Sequence, residues 1–122
     1  MNFIRLVPNV FYTDIRLGLK LFVDCLEFHI SHEELHEPDP FCVVAKDELR
    51  IMLFQNKEFA EKDRPEMRLV TNNIEEVYKK ISSTHPGLLH PNLKVPTLRP
   101  WGATEFALRD ESDVCIIIQQ WG

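Results

Sequence analysis

The chain of 122 residues has few of the residues that build several common kinds of active site. It contains only four glycines, and none of them forms a glycine-rich phosphate-binding loop. Its serines are also few, and none stands in the context of a nucleophile elbow. These absences argue against a phosphate-binding loop or a serine nucleophile and narrow the choice of function toward binding.

The cysteines are too few and too widely spaced for a disulfide framework or a thiol metal site. Cys25, Cys42 and Cys115 are an odd set, and no C-x-x-C pair occurs. Each lies among apolar neighbours, so we expect buried free thiols in a reducing cytosol. The first residues show no separate charged and apolar regions of a signal peptide, which also predicts a cytoplasmic protein.

The chain lacks an excess of basic residues and long hydrophobic runs. Its net charge is −5, and nucleic-acid binding needs a basic footprint, so we expect no nucleic-acid partner. No apolar run approaches the length of a membrane span, so we expect no membrane partner. A hydrophobic fraction of 44% in a chain of this length predicts one domain, residues 1–122, with a real core.

The chain does contain an internal repeat in its hydrophobic periodicity. A strand over Ile4–Tyr12 is followed by Asp14 as a helix N-cap, and a strand over Met67–Val70 is followed by Asn73 in the same role. Apolar residues then recur at helical spacing in both halves. The residues on these two helix faces are Ile15, Gly18, Leu19 and Phe22 in the first half, and Ile74, Val77, Tyr78 and Ile81 in the second.

Three strand-like runs follow each predicted helix. The first set covers 28–35, 41–46 and 49–55, with Asp47 and Glu48 as a hairpin turn, and the second set covers 94–98, 104–109 and 114–120. Each half is therefore predicted as a βαβββ module. Module 1 covers about residues 3–55, a polar linker covers 56–65, and module 2 covers about 66–121, which gives an α+β fold.

One short motif suggests a different function. His32-Glu33-Glu34-Leu35-His36 matches H-E-x-x-H, which binds zinc when both histidines lie on one face of a helix. We interpret this segment as an exposed strand, in which His32 and His36 are roughly 13 Å apart, too far to share one ion. The alternative is one long helix from Asp14 to His36, but its apolar stripe breaks down at His29.

The segment 99–110 combines a Pro-Trp-Gly turn with a strand of alternating character. Glu105, Ala107 and Arg109 alternate with Phe106 and Leu108, so one face of this strand can meet a core and the other a ligand cavity. The turn places Trp101 at the start of the strand. Aromatic side chains at a pocket rim bind flat ligands well. An ordinary turn and core strand is the alternative interpretation.

The Pro-Trp-Gly turn, the Glu-Phe-Ala strand and the paired modules resemble the glyoxalase/bleomycin resistance/dioxygenase superfamily, which has the vicinal oxygen chelate fold. The bleomycin-resistance proteins are the most similar members. The resemblance implies a homodimer with an exchanged first strand and a small-molecule ligand in a cleft at the dimer interface. One departure is the turn 110–114, which lacks the usual proline and glycine. The ligand-binding residues that we predict are Trp101, Phe41, Glu37, Asp39, Glu105 and Gln55, with Glu33 and Glu34 near the approach.

Two of these residues have structural alternatives. The alternative for Phe41 is core packing, because phenylalanine is so often buried. Trp101 is assigned to a pocket wall, with interface packing as its alternative.

The resemblance also implies where a catalytic metal would bind. The four ligand positions fall at Val7 (or Pro8), Glu66, residues 53–55 and Ile117. Of these, only Glu66 is a good ligand, and catalytic metal sites need about three protein ligands. We therefore predict no metal and no cofactor, with Glu66 as a ligand only if a metal is present.

The sequence thus predicts a metal-free binding protein of the bleomycin-resistance type, which sequesters an antibiotic-like or aromatic ligand and so confers antibiotic resistance. The alternative is a metal-dependent lyase, isomerase or dioxygenase of the glyoxalase superfamily. A domain without any ligand is a third alternative.

Overall fold

The structure, a computed structural model, describes all residues from Met1 to Gly122. The chain divides into two compact units, Met1–Asp63 and Arg64–Gly122. The division falls within the segment 56–65 that the sequence suggests as a linker. That the two modules form a single domain remains a prediction.

The first unit is a four-stranded mixed sheet with one main helix. Strand β1 (Asn9–Tyr12) leads to helix α1 (Ile15–Leu19), which continues as a wider π-helical segment over Lys20–Cys25. The next elements are β2 (His29–Glu34), β3 (Phe41–Lys46), β4 (Leu49–Gln55) and the short helix α2 (Lys57–Lys62). The strands lie in the spatial order β1-β4-β3-β2, with β1 parallel to β4 and the other pairs antiparallel.

The second unit repeats this arrangement. Its sheet has the order β5-β8-β7-β6, with β5 parallel to β8. The α+β fold with two βαβββ modules is therefore confirmed. Its elements are β5 (Glu66–Val70), α3 (Ile74–Thr84), a 3-10 turn (Pro86–Leu88), β6 (Thr97–Leu98), β7 (Ala103–Arg109) and β8 (Cys115–Trp121).

The predicted helix caps are both present. The Asp14 side chain accepts a hydrogen bond from the Arg16 backbone amide at 3.0 Å, and the Asn73 side chain accepts one from the Glu76 amide at 3.3 Å. An N-cap oxygen satisfies an amide that has no partner within the helix. The repeat seen in the sequence is thus a repeat of local hydrogen bonding.

A proline precedes the first strand of each module. The carbonyls of Pro8 and Pro65 accept hydrogen bonds from the amides of Met52 and Cys115, both at 3.0 Å. Because proline has no amide to donate, the ladder cannot run past it in the usual way. This explains why the predicted strand over Ile4–Tyr12 is wrong in its first half and β1 begins only at Asn9.

Two other element boundaries differ from prediction. The run 94–98 contributes only two strand residues, because Pro96 interrupts it immediately before β6. The linker 56–65 contains α2, which Asn56 caps by accepting from the Phe59 amide at 3.1 Å. In the first case the constraint is a proline that cannot donate to the sheet, and in the second it is a helix cap within a polar segment.

The H-E-x-x-H segment is not helical, so the rival long helix is wrong. His32 lies in β2, His36 lies in the turn after it, and both are exposed. The Nε2 atom of His32 lies 2.9 Å from an oxygen of Glu34. None of the helices is both long and apolar enough to cross a membrane.

In unit 1 the sheet face toward α1 is buried, whereas in unit 2 residues on both faces of the sheet are buried. In unit 1 the buried residues include Val10, Tyr12, Cys42 and Leu53, all with 0% exposure. Burial raises the pKa of Cys42 to about 11, so this thiol stays protonated near neutral pH. The same cause raises the pKa of Cys25 to about 11, which fits the predicted buried thiols; Cys115 is partly exposed.

We expect Gly18→Ala to destabilise the protein even though alanine favours helices. A Cβ atom at Gly18 would lie 2.5 Å from a ring carbon of the fully buried Tyr12. Overpacking of this kind costs about 1–3 kcal/mol of unfolding free energy, which exceeds the ~1 kcal/mol gain in helix propensity. Urea denaturation measures the change.

Gly87→Ala is the matched control, because a Cβ there would meet nothing within 4 Å. Its unfolding free energy should change by less than about 0.5 kcal/mol. Equal effects of the two substitutions would contradict the assigned Gly18–Tyr12 contact.

Candidate functional site

The Pro-Trp-Gly segment is a three-residue hairpin loop between β6 and β7. The Arg99 amide donates to the Ala103 carbonyl at 2.8 Å, and the Gly102 amide donates to the Arg99 carbonyl at 3.0 Å. Gly102 has a φ of +94°, a conformation that glycine adopts readily. Proline first and a left-handed residue last suit this kind of loop, so the motif is first of all a turn that holds Trp101 between them.

Trp101 lies half exposed at the tip of this loop. Its side chain is 48% exposed, and its indole Nε1 donates a hydrogen bond to the Glu105 carboxylate at 3.2 Å. The centre of the Arg99 guanidinium lies 5.1 Å from the centroid of the indole ring. The indole is therefore held on one edge by a hydrogen bond and contacted by a cation.

Glu105 is a buried carboxylate with several donors. Only 1% exposed, it also accepts hydrogen bonds from Gln119 Nε2 at 2.6 Å and from Arg68 Nε at 3.3 Å. Burial acts to raise the pKa of Glu105, but the hydrogen bonds from Gln119, Trp101 and Arg68 outweigh it and hold the pKa below its ordinary value. Glu105 is thus charged at neutral pH and positions other side chains.

The network continues from Gln119 to a second indole. The Gln119 carbonyl oxygen accepts a hydrogen bond from Trp121 Nε1 at 2.9 Å, and Trp121 is 55% exposed. Glu105 and Gln119 face each other across β7 and β8. Two partly exposed tryptophans are therefore tied to one buried polar pair, and sequence reasoning identified only Trp101 of the two.

This network lies on the sheet face away from α3. Phe106 follows Glu105 in β7 and so points to the opposite face, where its ring contacts Tyr78 of α3 edge-on at 5.4 Å. The predicted alternation of β7 is therefore confirmed. One face of the strand packs on the helix and the other carries the polar site.

Unit 1 carries a row of aromatic side chains. Phe41 stacks on Phe54 with ring centroids 5.8 Å apart, Phe54 stacks on Phe11 at 5.5 Å, and Phe11 meets the edge of Phe59 at 5.1 Å. His32 lies 5.8 Å from Phe41 at the other end. The sequence identified only Phe41, although the alternation in β1 and β4 contained a signal for Phe11 and Phe54.

The aromatic row occupies the sheet face that α1 does not cover. Phe41, Phe54 and Phe11 alternate along their strands with the fully buried Cys42 and Leu53. The three rings of the strands are themselves partly exposed. Phe41 is thus a partly exposed member of this aromatic row, and its role in ligand binding stays a prediction.

The other three predicted ligand residues of unit 1 do not join this row. Glu37 and Asp39 lie exposed in the connection between β2 and β3. Gln55 lies on the α1 side of β4, and its side-chain oxygen accepts a hydrogen bond from the Ile15 amide at 3.0 Å. Gln55 thus caps a helix beside an open cavity of about 550 Å³, on the other side of β4 from Phe54, and its role in ligand binding stays a prediction.

The four positions suggested for a metal do not form a ligand set. Val7 precedes β1, the side-chain oxygen of Gln55 is engaged by an amide, and Ile117 has no ligating atom. Glu66 begins β5, with one oxygen 3.8 Å from Arg68. Histidine, cysteine, aspartate and glutamate side chains form no group of three or more that could hold a metal ion. The residues present therefore do not fit the divalent metal of the catalytic superfamily members.

We expect removal of the Glu105 charge to lower stability in a pH-dependent way. Glu105→Ala strips three donors of their acceptor and should lower the unfolding free energy by about 2–4 kcal/mol. Because the folded pKa is below its ordinary value of 4.5, the stabilisation is present above that pH and is lost as pH falls through the folded pKa. Urea denaturation of the wild type and Glu105→Gln between pH 3 and 7 should therefore show a difference that shrinks at low pH.

Glu66→Gln is the control, since it removes an exposed carboxylate near the same arginine. An exposed pair contributes about 0–1 kcal/mol, so stability should barely change. A Glu105→Gln protein as stable as the wild type at neutral pH would contradict the role assigned to the network.

Comparison with known proteins shows similarity in structure alone. No protein-family model and no curated protein matches the sequence. A bleomycin-binding protein complexed with bleomycin superposes with a TM-score of 0.73 at 20% identity, covering 98% of this chain and 100% of that one. A bleomycin resistance determinant encoded on the transposon Tn5 gives a TM-score of 0.74 at 19% identity, covering 98% of both chains.

A third solved structure extends the likeness to the wider group. It is a member of the glyoxalase/bleomycin resistance protein/dioxygenase superfamily from Sphaerobacter thermophilus, with a TM-score of 0.70 at 18% identity, covering 96% of this chain and 98% of that one. Identities this low carry the fold and leave the ligand open. The chain has the vicinal oxygen chelate fold, as do the solved bleomycin-binding and bleomycin-resistance structures that it resembles.

Proposed function

We propose that this protein binds and sequesters an antibiotic-like or aromatic small molecule, as a metal-free protein of the bleomycin-resistance type. The observation that carries the proposal is the half-exposed indole of Trp101, held by the buried Glu105. A flat ring that is already fixed loses little entropy when a ligand stacks on it. Glu105 is buried and its Oε2 atom accepts from three donors, so its role in binding is to position the indole.

The aromatic row of unit 1 supports the same function. Phe41 and Phe54 present stacked, partly exposed rings on an open sheet face. Offset-stacked and edge-to-face contacts with such rings favour planar ligands. The exposed carboxylates of Glu37 and Asp39 lie in the connection between β2 and β3, just before Phe41, and add negative charge to this unit.

The structural comparisons add a candidate ligand. One of the similar structures is a bleomycin-binding protein in complex with bleomycin. Bleomycin is therefore the first compound to test, and a biological role in antibiotic resistance follows from the proposal. A metal-dependent lyase, isomerase or dioxygenase would need ligands that the four candidate positions do not supply.

We further propose a homodimer in which the first strands are exchanged. In this structure β1 pairs with β4 of its own chain, and residues 1–8, the arm, precede β1 without regular secondary structure. Phe3, Ile4 and Leu6 in this arm are between 84% and 89% exposed. Several exposed apolar side chains in one segment are typical of a surface that packs against another chain.

Replacement of Trp101 should weaken ligand binding without unfolding the protein. We expect Trp101→Ala to weaken binding of bleomycin about 5- to 150-fold and Trp101→Phe to weaken it less, because a stacked ring contributes about 1–3 kcal/mol. Isothermal titration calorimetry measures the affinity. Trp121→Phe is the control for loss of one indole elsewhere in the unit.

Two outcomes would contradict the proposal. If neither bleomycin nor a panel of planar aromatic compounds binds, the binding function is wrong. If the purified protein contains stoichiometric metal by elemental analysis, and Glu66→Ala loses it, the metal-dependent enzyme is the better assignment.

If residues 1–8 pack against the partner in the proposed dimer, a charged substitution in this arm should separate the subunits. Light scattering after size exclusion should give twice the chain mass of 14.3 kDa for the wild type and a single chain mass for Leu6→Asp. Val95→Asp, at an exposed apolar residue outside the arm, is the control. A monomeric wild type would contradict the dimer, and a dimeric Leu6→Asp protein would contradict the exchange.

A further inference from the structure

Arg99 covers part of Trp101 without being paired to an acid. Its guanidinium carbon lies 5.1 Å from the indole centroid, and its Nε is buried with no hydrogen-bond partner. A buried donor without an acceptor is destabilising relative to the same donor in a hydrogen bond. The position of Arg99 on the indole is therefore one that a new acceptor could displace.

The other arginines of this sheet are already paired. Arg68 donates to Glu105 and lies 3.8 Å from Glu66, and Arg109 lies 3.9 Å from Asp113. The salt bridges of the unit do not include Arg99. Arg99 is thus a positive charge beside the exposed indole that has no neutralising carboxylate.

The carboxylate that accepts from the indole is buried. Glu105 is 1% exposed, and its Oε2 atom accepts from Gln119, Trp101 and Arg68. A cationic ligand at Trp101 would meet the guanidinium of Arg99 and would have no free access to this carboxylate. An anionic ligand would meet the unpaired cation.

The backbone around Arg99 confines any movement to its side chain. The Arg99 amide and carbonyl are both engaged in the hairpin, with Ala103 and Gly102 respectively. If a ligand ring takes the place of the guanidinium on Trp101, the backbone of Arg99 stays in the hairpin. The displaced guanidinium therefore remains close to the edge of the new stack. The planar guanidinium can then pair with an oxyanion on that ring.

We propose that Arg99 is a specificity-determining residue, which makes the Trp101 site select planar aromatic ligands that carry an anionic oxygen group. The ring replaces the guanidinium on the indole, and the guanidinium binds the oxyanion. This inference rests on the proposed ligand-binding function and adds the charge of the ligand. The anionic group proposed here is opposite in charge to the cationic group that Glu37 and Asp39 of unit 1 would attract.

The test uses probes that share one ring and differ in charge. Calorimetric titrations with 2-naphthoate, 2-naphthyl phosphate and 2-naphthylmethylammonium should show at least about tenfold tighter binding of an anion than of the cation. The two anions distinguish a carboxylate site from a phosphate site. Arg99→Ala should lose the preference while still binding the ring, and Arg99→Lys should retain part of it.

Lys94→Ala is the matched control, because it removes an exposed positive charge from the same connection. It should leave the preference for anions unchanged. Equal binding of anions and cation by the wild type, or a preference that survives in Arg99→Ala, would overturn the inference while the ligand-binding function stands. Failure of all three probes and of bleomycin to bind would overturn the function and this inference together.

A second measurement needs no ligand. In a Trp121→Phe background, Trp101 is the only tryptophan, and acrylamide quenching of its fluorescence reports access to the indole. Arg99→Ala should increase the quenching constant if the guanidinium covers the ring. An unchanged quenching constant would contradict the coverage of the indole by Arg99, and with it the proposed replacement of the guanidinium by a ligand ring.

Discussion

The second unit depends on one buried charge, the carboxylate of Glu105. A carboxylate at 1% exposure is tolerated only where donors replace the lost water, and here an indole, an amide and a guanidinium do so. Each of these donors is positioned in turn by the carboxylate. Through Gln119 the same constraint reaches Trp121, so both exposed indoles of the unit depend on one buried group.

The hairpin and the sheet together bring Trp101 close to Glu105. The turn chemistry of Pro100 and Gly102 sets Trp101 at the loop tip, and alternation along β7 directs Glu105 to the face away from α3. The four-residue separation of Trp101 and Glu105 then brings indole and carboxylate within hydrogen-bonding distance. An ordinary turn and a binding wall are therefore compatible descriptions of the same segment.

Much of the fold was predictable because its signals are local. The caps at Asp14 and Asn73 and the strands of both modules follow from side-chain chemistry and periodicity. The site was predictable only in part, since Trp101 and Phe41 lie on exposed faces while Gln55 caps a helix. Gln119 was not identified because its hydrogen bond to Glu105 crosses from β8 to β7, and Arg99 was not identified because its position over the indole depends on side-chain packing.

The sequence by itself determined the two βαβββ modules, because periodicity, caps and turn residues act over a few positions each. It also determined that Trp101 stands between a proline and a glycine in a turn. Only the tertiary structure decided that Glu105 is buried, that three donors converge on it and that Arg99 remains unpaired. Hydrogen-bond distances between strands depend on register and side-chain packing, which no local pattern encodes.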